Sequence, residues 1–312
     1  MHAYLDPNKR HDFVFFFDAK DSNPNGDPDA GNMPRVDPET MQGLVTDVCI
    51  KRKVRDWIGD EKKYQKPYDI FIRMDRALNE KIDESRGDNP PRDTDARRKW
   101  LCKQYYDVRT FGAVLSTGDN VDVGRVTGPI QITLSRSIDP VTIADLSITR
   151  QAATKKDDFE AKGSTIGRKP VVLYGLYRGF GFFDPHRADE TGFSRGNLSK
   201  DLELFWRALL NAYRYDKSAL RNQVVVREVY VFSHENQRGN APAHRLLELA
   251  NEGGRFTVML KEGKDVPRSF SDYTINVDAD SVVEVDGGKA TTIKFEGRSK
   301  LPKGVTLTRL VG

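Results

Sequence analysis

Two segments within the first sixty residues carry groups that bind phosphate. The first is the turn Asp21-Ser-Asn-Pro-Asn-Gly-Asp-Pro28, whose Asn and Gly residues tolerate left-handed backbone conformations. The second is the basic run Lys51-Arg-Lys-Val-Arg55, which contains no acidic residue. Backbone amides beside positive charge suit a polyanion better than a small apolar ligand. The alternative for the basic run is a solvated helix face that binds nothing.

A third segment, Arg178-Gly-Phe-Gly-Phe182, matches the beginning of the RNA-recognition signature. Its end departs from that signature, because Asp184-Pro185 stands where an aromatic residue belongs. In the functional interpretation, bases stack on Phe180 or Phe182. In the alternative interpretation, both rings are core aromatics on a sheet that other elements cover.

The segment from Gly163 to Lys169 resembles a phosphate loop, but its spacing is not that of a P-loop. Arg168 and Lys169 would instead touch a nucleic-acid backbone from a hairpin. A metal-dependent nuclease would need carboxylates such as Asp18, Asp21 and Asp27, and that function stays an alternative. The five histidines lack metal-ligand spacing, so we predict no catalytic residue, no metal ion and no other cofactor.

The elements that must position these groups follow from hydrophobic periodicity. Residues 12–18 are short, apolar and rich in Phe, which predicts a buried strand. Residues 43–58 are expected to form a helix whose inner face carries Ile50, Val54, Trp57 and Ile58. On that helix Lys53 is expected to point roughly away from the core, with Arg52 on the flank and Lys51 and Arg55 bordering the apolar stripe.

The order of core elements is strand, helix, three strands, helix and strand. This order predicts an α+β fold with a ferredoxin-like, RNA-recognition-like core. Two polar excursions interrupt the core, one at residues 59–107 and one at residues 139–169. Polar segments of this length between core elements are usually functional or mobile.

Composition limits the class of protein. The chain has 312 residues, and its 50 basic and 46 acidic side chains nearly balance, so the position of the charges matters more than the sum. Cys49 and Cys102 are expected to be reduced thiols of an intracellular protein. The first twelve residues are polar, and no apolar run reaches membrane-spanning length. We therefore predict a soluble, cytoplasmic protein with no membrane partner.

Taken in order, five short motifs resemble one family. They are Asp18-Ala-Lys-Asp-Ser-Asn-Pro-Asn-Gly-Asp27, Lys51-Arg52-x-x-Arg55, Asp107-Val-Arg-Thr-Phe-Gly112, Gly128-Pro-Ile-Gln131, and Gly167-Arg168-Lys169 followed by Tyr174-Gly-Leu-Tyr177. With them the chain resembles the backbone subunit of type I CRISPR Cascade complexes, the Cas-seven superfamily, and specifically its subtype I-C branch. The resemblance covers most of residues 12–235.

The resemblance implies a right-hand-like subunit. Its palm would comprise residues 1–58, 108–138 and 170–312, its fingers residues 59–107, and its thumb the hairpin at residues 139–169. Several copies would bind head-to-tail along one guide RNA (crRNA) as a helical filament. A heterologous contact of this kind generates an open helix when its rotation does not close.

The resemblance also implies site residues, partners and a lack of catalysis. The RNA-binding residues carried over by motif are Asn23, Asn25, Lys51, Arg52, Arg55, Arg109, Phe111, Arg150, Arg168 and Lys169. The implied partners are crRNA, the target DNA strand paired to it, adjacent copies, a capping or processing subunit and a large subunit. The alternatives are an endoribonuclease of the same superfamily, using Asp21 or Asp27, and a generic single-strand-binding protein.

Overall fold

A computed structural model describes residues 2–86, 93–116, 123–150 and 165–311. The strands are β1 His11–Ser22, β2 Gly26–Asp27, β3 Met33–Pro34, β4 Gln42–Val45, β5 Gly112–Val114, β6 Arg125–Thr127, β7 Ile130–Ile132, β8 Ser135–Pro140, β9 Ile143–Arg150, β10 Thr165–Phe183, β11 Val224–His234, β12 Phe256–Leu260, β13 Tyr273–Val277, β14 Ser281–Asp286, β15 Lys289–Lys294 and β16 Val305–Val311. The α-helices are α1 Asp47–Lys62, α2 Leu78–Asp83, α3 Thr94–Gln104, α4 Tyr106–Phe111, α5 Pro185–Thr191, α6 Asp201–Leu210 and α7 His244–Leu247. Short 3-10 helices cover Ala3–Leu5, Pro28–Ala30, Glu84–Arg86, Gly196–Leu198, Ala250–Glu252 and Phe270–Asp272.

One large sheet organises the fold. Its strand order is β15-β14-β16-β11-β1-β10-β8-β4, and β7 and β9 also pair with β10. The central strand β1 runs antiparallel to both β10 and β11. The mixed α and β fold that the sequence predicts is therefore confirmed.

Strand β1 is buried on both faces, which explains its unbroken aromatic run. Phe13, Phe15 and Phe17 alternate onto the face that α1 and α6 cover. Val14 and Phe16 point to the other face, where α7 and the β12–β13 hairpin pack. A strand covered on both sides reads as a continuous hydrophobic run, as residues 12–18 do.

Helix α1 begins later than the sequence predicts. The side chain of Thr46 accepts a hydrogen bond from the Cys49 N–H at 3.3 Å and so fixes the first turn. Residues 43–45, expected as helix, belong instead to β4 at the sheet edge. The helix ends at Lys62, and the next residue, Lys63, has a φ of 54°.

A separate apolar cluster forms between residues 71 and 126. It joins Phe71 and Leu101 to Tyr105 and Val108, and to Val126 of the β5–β6 hairpin. The predicted finger insertion covers only residues 59–107, whereas this cluster also takes in the hairpin that follows. Helix α1 in turn runs past residue 58 into that segment.

Strands β9 and β10 form a long antiparallel arm. Their pairing runs from Ile143 opposite Val172 to Arg150 opposite Thr165. The predicted thumb hairpin at residues 139–169 falls on this arm, although residues 151–164 lie outside the described part of the chain. None of the helices in the described ranges has the length and apolar character that a membrane crossing requires.

Candidate nucleic-acid interface

The Asn/Gly turn is closed by its own side chains. Asn23 is buried, its N–H donates to the Leu220 carbonyl at 2.6 Å, and its Nδ2 donates to the Asn32 carbonyl at 2.7 Å. Its Oδ1 is buried and has no hydrogen-bond partner within the described part of the chain. Asn23 therefore shapes the turn from inside and presents no surface to a ligand.

Asn25 joins this turn to helix α1. Its Oδ1 accepts hydrogen bonds from the N–H and from the Oγ1 of Thr46, each at 2.9 Å. Thr46 is the N-cap of α1, so one amide oxygen fixes the turn against the beginning of the helix. The sequence places Asn25 correctly beside the basic helix, and the structure gives it a positioning role there.

The cations of α1 are neutralised, contrary to the sequence expectation of an unpaired run. Lys51 lies 3.0 Å from Asp47 and Arg52 lies 2.9 Å from Asp56, each one helical turn away. Both carboxylates lie just outside residues 51–55, so the basic run itself contains no acidic residue. Such pairs at i and i+4 are weak, and their side chains exchange partners easily.

Lys53 does not point away from the core as expected. It is buried, and its Nζ lies 2.7 Å from Asp216, a residue in the segment that follows α6. Arg52 is the more exposed cation, with 40% of its side chain accessible. Arg52 is therefore the cation that faces solvent, and Lys53 links α1 to the segment that follows α6.

Arg55 is a structural residue in this conformation. Its Nε donates to Asp107 at 2.9 Å, and both side chains are buried. The same carboxylate accepts the N–H groups of Phe71 at 2.7 Å and Ile72 at 3.1 Å. The Arg55 guanidinium also lies over the ring of Phe111, 5.1 Å from its centre. The predicted phosphate contact of Arg55 is corrected to a role in organising this junction.

Arg109 has no accessible surface. Its guanidinium forms two hydrogen bonds with Asp201, at 2.7 and 3.1 Å, and donates to the carbonyls of Pro67 and Cys102. Phe111 is also buried, next to the ring of Phe205. Neither side chain faces solvent, so the RNA contacts predicted for Arg109 and Phe111 are corrected to packing between α4 and α6.

The hairpin arm presents its cations differently. Arg168 is 76% exposed, and the Asp145 carboxylate is 3.8 Å from it. Lys169 follows on the same strand and is half-buried. Successive side chains point to opposite faces of a strand, so these two cations serve both faces of the arm. Arg150 ends β9 opposite Thr165, and its side chain lies outside the described part.

An open groove, here called the turn groove, separates the Asn/Gly turn from the root of the arm. Its volume is about 400 Å³, and its lining includes Arg35, Leu44, Thr46, Leu134 and Ile143. The walls therefore come from the turn, from β4, from the beginning of α1 and from β9. This groove brings together elements that the sequence predicts to face RNA.

The sequence analysis did not single out two arginines in this region. Arg35 lines the groove and is 3.1 Å from Asp27. Arg136 of β8 lies opposite Leu44, a lining residue, and is 2.7 Å from Asp37 in the segment between β3 and β4. The hydrogen bond from Arg136 lowers the pKa of the Asp37 carboxyl. Arg35 lies seven residues after the turn, and that proximity was the signal available in the sequence.

The glycines of the 178–182 segment have a steric purpose. A Cβ at Gly181 would collide with the ring of Phe13, and one at Gly179 with the ring of Phe15. Phe180 and Phe182 are partly buried against the second apolar cluster. The structure thus agrees with the covered-sheet interpretation of this segment.

Two of the three carboxylates considered for a nuclease, Asp18 and Asp27, are engaged in ion pairs, whereas Asp21 is exposed. Asp18 accepts two hydrogen bonds from Arg227, at 2.8 and 2.9 Å, and one from the Tyr174 hydroxyl. Asp27 is paired with Arg35. Over the described ranges, no three His, Cys, Asp or Glu side chains converge as metal ligands would.

The two cysteines do not pair with each other. Cys102 is buried, and desolvation raises the pKa of its thiol to about 12. Burial also raises the pKa of Cys49, which is half-buried. Both thiols are therefore protonated at neutral pH and are poor nucleophiles.

Comparison with known proteins identifies one family. The family model of the CRISPR-associated protein Cas7 matches residues 9–278. A CRISPR-associated protein Cas7 of Haloferax volcanii is 25% identical over 317 aligned positions, which cover 90% of each chain. A solved chain of a "CRISPR RNA-guided surveillance complex, pre-nicking" has a TM-score of 0.50 and 14% identity, over 82% of this chain and 84% of that one. A chain of a further "CRISPR RNA-guided surveillance complex" has a TM-score of 0.42 and 15% identity, over 72% of this chain and 68% of that one.

The extent of the family match decides the assignment. It begins just before β1 and continues through β13, so it includes the central strands of the sheet, α1, α6 and the hairpin arm. The solved chain with a TM-score of 0.50 has the same fold. The protein therefore belongs to the CRISPR-associated protein Cas7 family.

Proposed function

We propose that this chain binds CRISPR guide RNA as the repeating backbone subunit of a Cascade-type surveillance complex of subtype I-C. The observation that carries the proposal is membership of the Cas7 family across residues 9–278. Several copies bind head-to-tail along one crRNA, without catalysis. Pairing of the guide with a target DNA strand supplies the sequence specificity, as in other RNA-guided effectors.

The sheet supports a ferredoxin-like palm within this subunit. Strands β11, β1, β10 and β8 are adjacent in that order and antiparallel, with α1 and α6 together on one face. RNA-recognition domains bind RNA on the opposite face of such a sheet. Here α7 and the β12–β13 hairpin occupy that face, so the RNA follows another path.

The proposed path runs along the hairpin arm and past the turn groove. Arg168 and Lys169 supply positive charge on the arm, and Arg35 and Arg136 supply it near the groove. The last two arginines have exposed fractions of 32% and 48%, and their carboxylate partners are also partly exposed. Phosphates can replace those partners at low cost, because solvent-exposed ion pairs contribute little free energy.

The other predicted site residues take supporting roles in this proposal. Lys51 and Arg52 contact phosphate from the beginning of α1, since their helix partners are weakly held. Arg150 belongs to the tip side of the arm. Asn23, Asn25, Arg55, Arg109 and Phe111 position the turn and the helices. Binding through phosphates is independent of base sequence, as a subunit that coats any guide requires.

Several finer assignments remain predictions. They are the fingers at residues 59–107, the thumb at residues 139–169, the cytoplasmic location, and contacts with a capping or processing subunit and a large subunit. The cytoplasmic location follows from the sequence composition, and the other assignments follow from the family resemblance.

Sequencing the RNA that co-purifies with the assembled protein tests the proposed function. We expect RNA of fixed length that carries repeat and spacer sequence. RNA of mixed origin and length would instead indicate a generic single-strand-binding protein. Incubation of the same particle with labelled RNA and Mg²⁺ tests the endoribonuclease alternative, for which we expect no cleavage.

A further inference from the structure

An exposed apolar projection lies beside helix α1. Met74 is 99% exposed and Ile72 is 39% exposed, and together they are here called the knob. The loop that carries the knob is held firmly. Asp107 accepts the N–H groups of Phe71 and Ile72, and the fully buried Lys81 donates to the Phe71 carbonyl at 3.0 Å. Apolar side chains on a fixed loop cannot fold back onto the core, so they stay available to a partner.

An apolar groove lies between α6 and the C-terminal strands. This cavity, here called the C-terminal groove, has a volume of about 410 Å³ and an apolar lining formed by Tyr4, Trp206, Leu210, Val285 and Leu310. Glu203 and Asp286 also line it, and both are exposed. Neither carboxylate forms an ion pair with another residue of the described part. Arg207 lines it too and lies 3.4 Å from Glu61 of α1, so the groove combines an apolar floor with an excess of negative charge.

The knob and the C-terminal groove lie on opposite sides of the central strand. The knob loop is held by Asp107 of α4, which contacts β7, and β7 pairs with β10 on one side of β1. The groove is walled by β14 and β16, which lie beyond β11 on the other side of β1. Helix α1 shows the same division. Arg55 reaches Asp107, whereas Lys53, about 200° around the helix, reaches Asp216 after α6.

We propose that the knob of one copy seats in the C-terminal groove of the next copy. This inference rests on the proposed head-to-tail assembly and names the surfaces that would form it. Arg73 and Arg76 flank Met74 in partly exposed ion pairs with Asp75 and Glu84, and carboxylates of a partner can replace such ion pairs at low cost. Glu203 and Asp286 give the groove an excess of negative charge over its cation Arg207, so the two surfaces attract each other. A surface and its complement on opposite sides of one chain form a heterologous contact, which repeats without limit unless it closes into a ring.

Part of the C-terminal groove is built from strands that lie beyond the family match. The Cas7 family match ends at residue 278, whereas Val285, Asp286 and Leu310 of the groove lie beyond it. Strand β16 extends the sheet from β11, and β14 pairs in parallel with β16. Strands β14 and β16 therefore supply one wall of the docking surface for the neighbouring copy.

Disulfide trapping tests the contact in the full chain bound to its RNA. The variant Met74→Cys with Asp286→Cys is oxidised after assembly, and denaturing gels without reductant report the products. We expect a ladder of linked copies. The matched control is Met259→Cys with Asp286→Cys, because Met259 is 55% exposed but lies on β12, on the other face of the sheet. The control should give no ladder.

A second variant measures the contribution of the knob. Met74→Glu should weaken assembly on RNA about tenfold or more, since burial of a Met side chain is lost and a charge is added to an acidic groove. Met259→Glu should leave assembly unchanged. RNA-bound arrays that show no ladder and tolerate Met74→Glu would overturn the knob contact while leaving the proposed function intact. Absence of co-purifying RNA from the unmodified protein would overturn both.

Discussion

The cations beside helix α1 and those on the hairpin arm look alike in sequence but differ in the structure. Arg55 and Arg109 lie in buried ion pairs with Asp107 and Asp201. Arg168 is 76% exposed, and the Asp145 carboxylate lies 3.8 Å from it. The first region uses charge to join helices, whereas the second keeps charge available to a ligand. A basic run alone therefore does not identify a nucleic-acid surface.

The largest expected difference between the two regions is in stability. Arg109→Ala would leave the Asp201 carboxylate buried without its partner, which costs about 3–5 kcal/mol in the free energy of unfolding. Denaturant unfolding followed by circular dichroism measures this change. Arg168→Ala is the matched control and should change the same quantity by less than about 0.5 kcal/mol. An Arg109→Ala protein that keeps its stability yet loses RNA would reverse our assignment.

Low pH should lower the free energy of unfolding. Burial lowers the pKa of His11 from 6.5 to about 4. The unfolded chain therefore binds the proton more readily, and stability falls as pH decreases from about 6.5 towards 4. The full effect of this group is about 3 kcal/mol.

The pH dependence of the unfolding free energy measures this effect between pH 4 and 7. His11→Gln is the comparison variant, because Gln keeps a polar side chain near Ser233 and the Asp6 carbonyl without titrating. Its pH profile should be flatter than that of the unmodified chain. Two parallel profiles would show that His11 does not carry the acid sensitivity.

Charge reversal on the arm should affect RNA and leave the fold intact. Arg168→Glu with Lys169→Glu is expected to weaken RNA binding about tenfold or more at physiological salt. The slope of log affinity against log salt should fall by about 2, one unit for each lost phosphate contact. The control Lys289→Glu with Lys294→Glu makes the same charge change on β15, at the opposite end of the sheet order.

Equal losses of RNA affinity in the arm variant and the β15 variant would mean that net charge, and not the arm, governs binding. Fluorescence anisotropy at several salt concentrations gives both the affinity and the slope.

The smallest expected effect is at Arg52. Its pair with Asp56 is a partly exposed i and i+4 pair, so Arg52→Ala should lower the free energy of unfolding by about 0.3–0.5 kcal/mol. If Arg52 also holds a phosphate, the salt slope should fall by about 1. A loss above 2 kcal/mol would place Arg52 with the buried cations of the first region.

The sequence predicted those features that local patterns determine. The aromatic run at residues 12–18 predicted the buried central strand. Helical periodicity predicted α1 over residues 43–58, four residues too early at both ends. The beginning of α1 was placed too early because the Thr46 cap outweighs the apolar pattern that precedes it. The order of strands and helices predicted the mixed fold.

The candidate site was less predictable, because ion pairs depend on residues that are distant in sequence. Asp107 is 52 positions from Arg55, and Asp201 is 92 positions from Arg109. No local count of charge reveals such partners. The C-terminal groove was missed for the same reason, since its walls come from α6 and from strands near the end of the chain.

The bare backbone at Gly179 and Gly181 has a consequence for mutational scanning. Even the smallest added side chain would strike the rings of Phe13 or Phe15 in the middle of the sheet. A survey of all single substitutions would rank both positions among the least tolerant. Because the local sequence resembles an RNA-recognition signature, this intolerance could be mistaken for loss of an RNA contact. A paired replacement would enlarge the glycine and shrink the opposing ring. It should restore function in such a survey, and that result would distinguish a steric clash from a lost RNA contact.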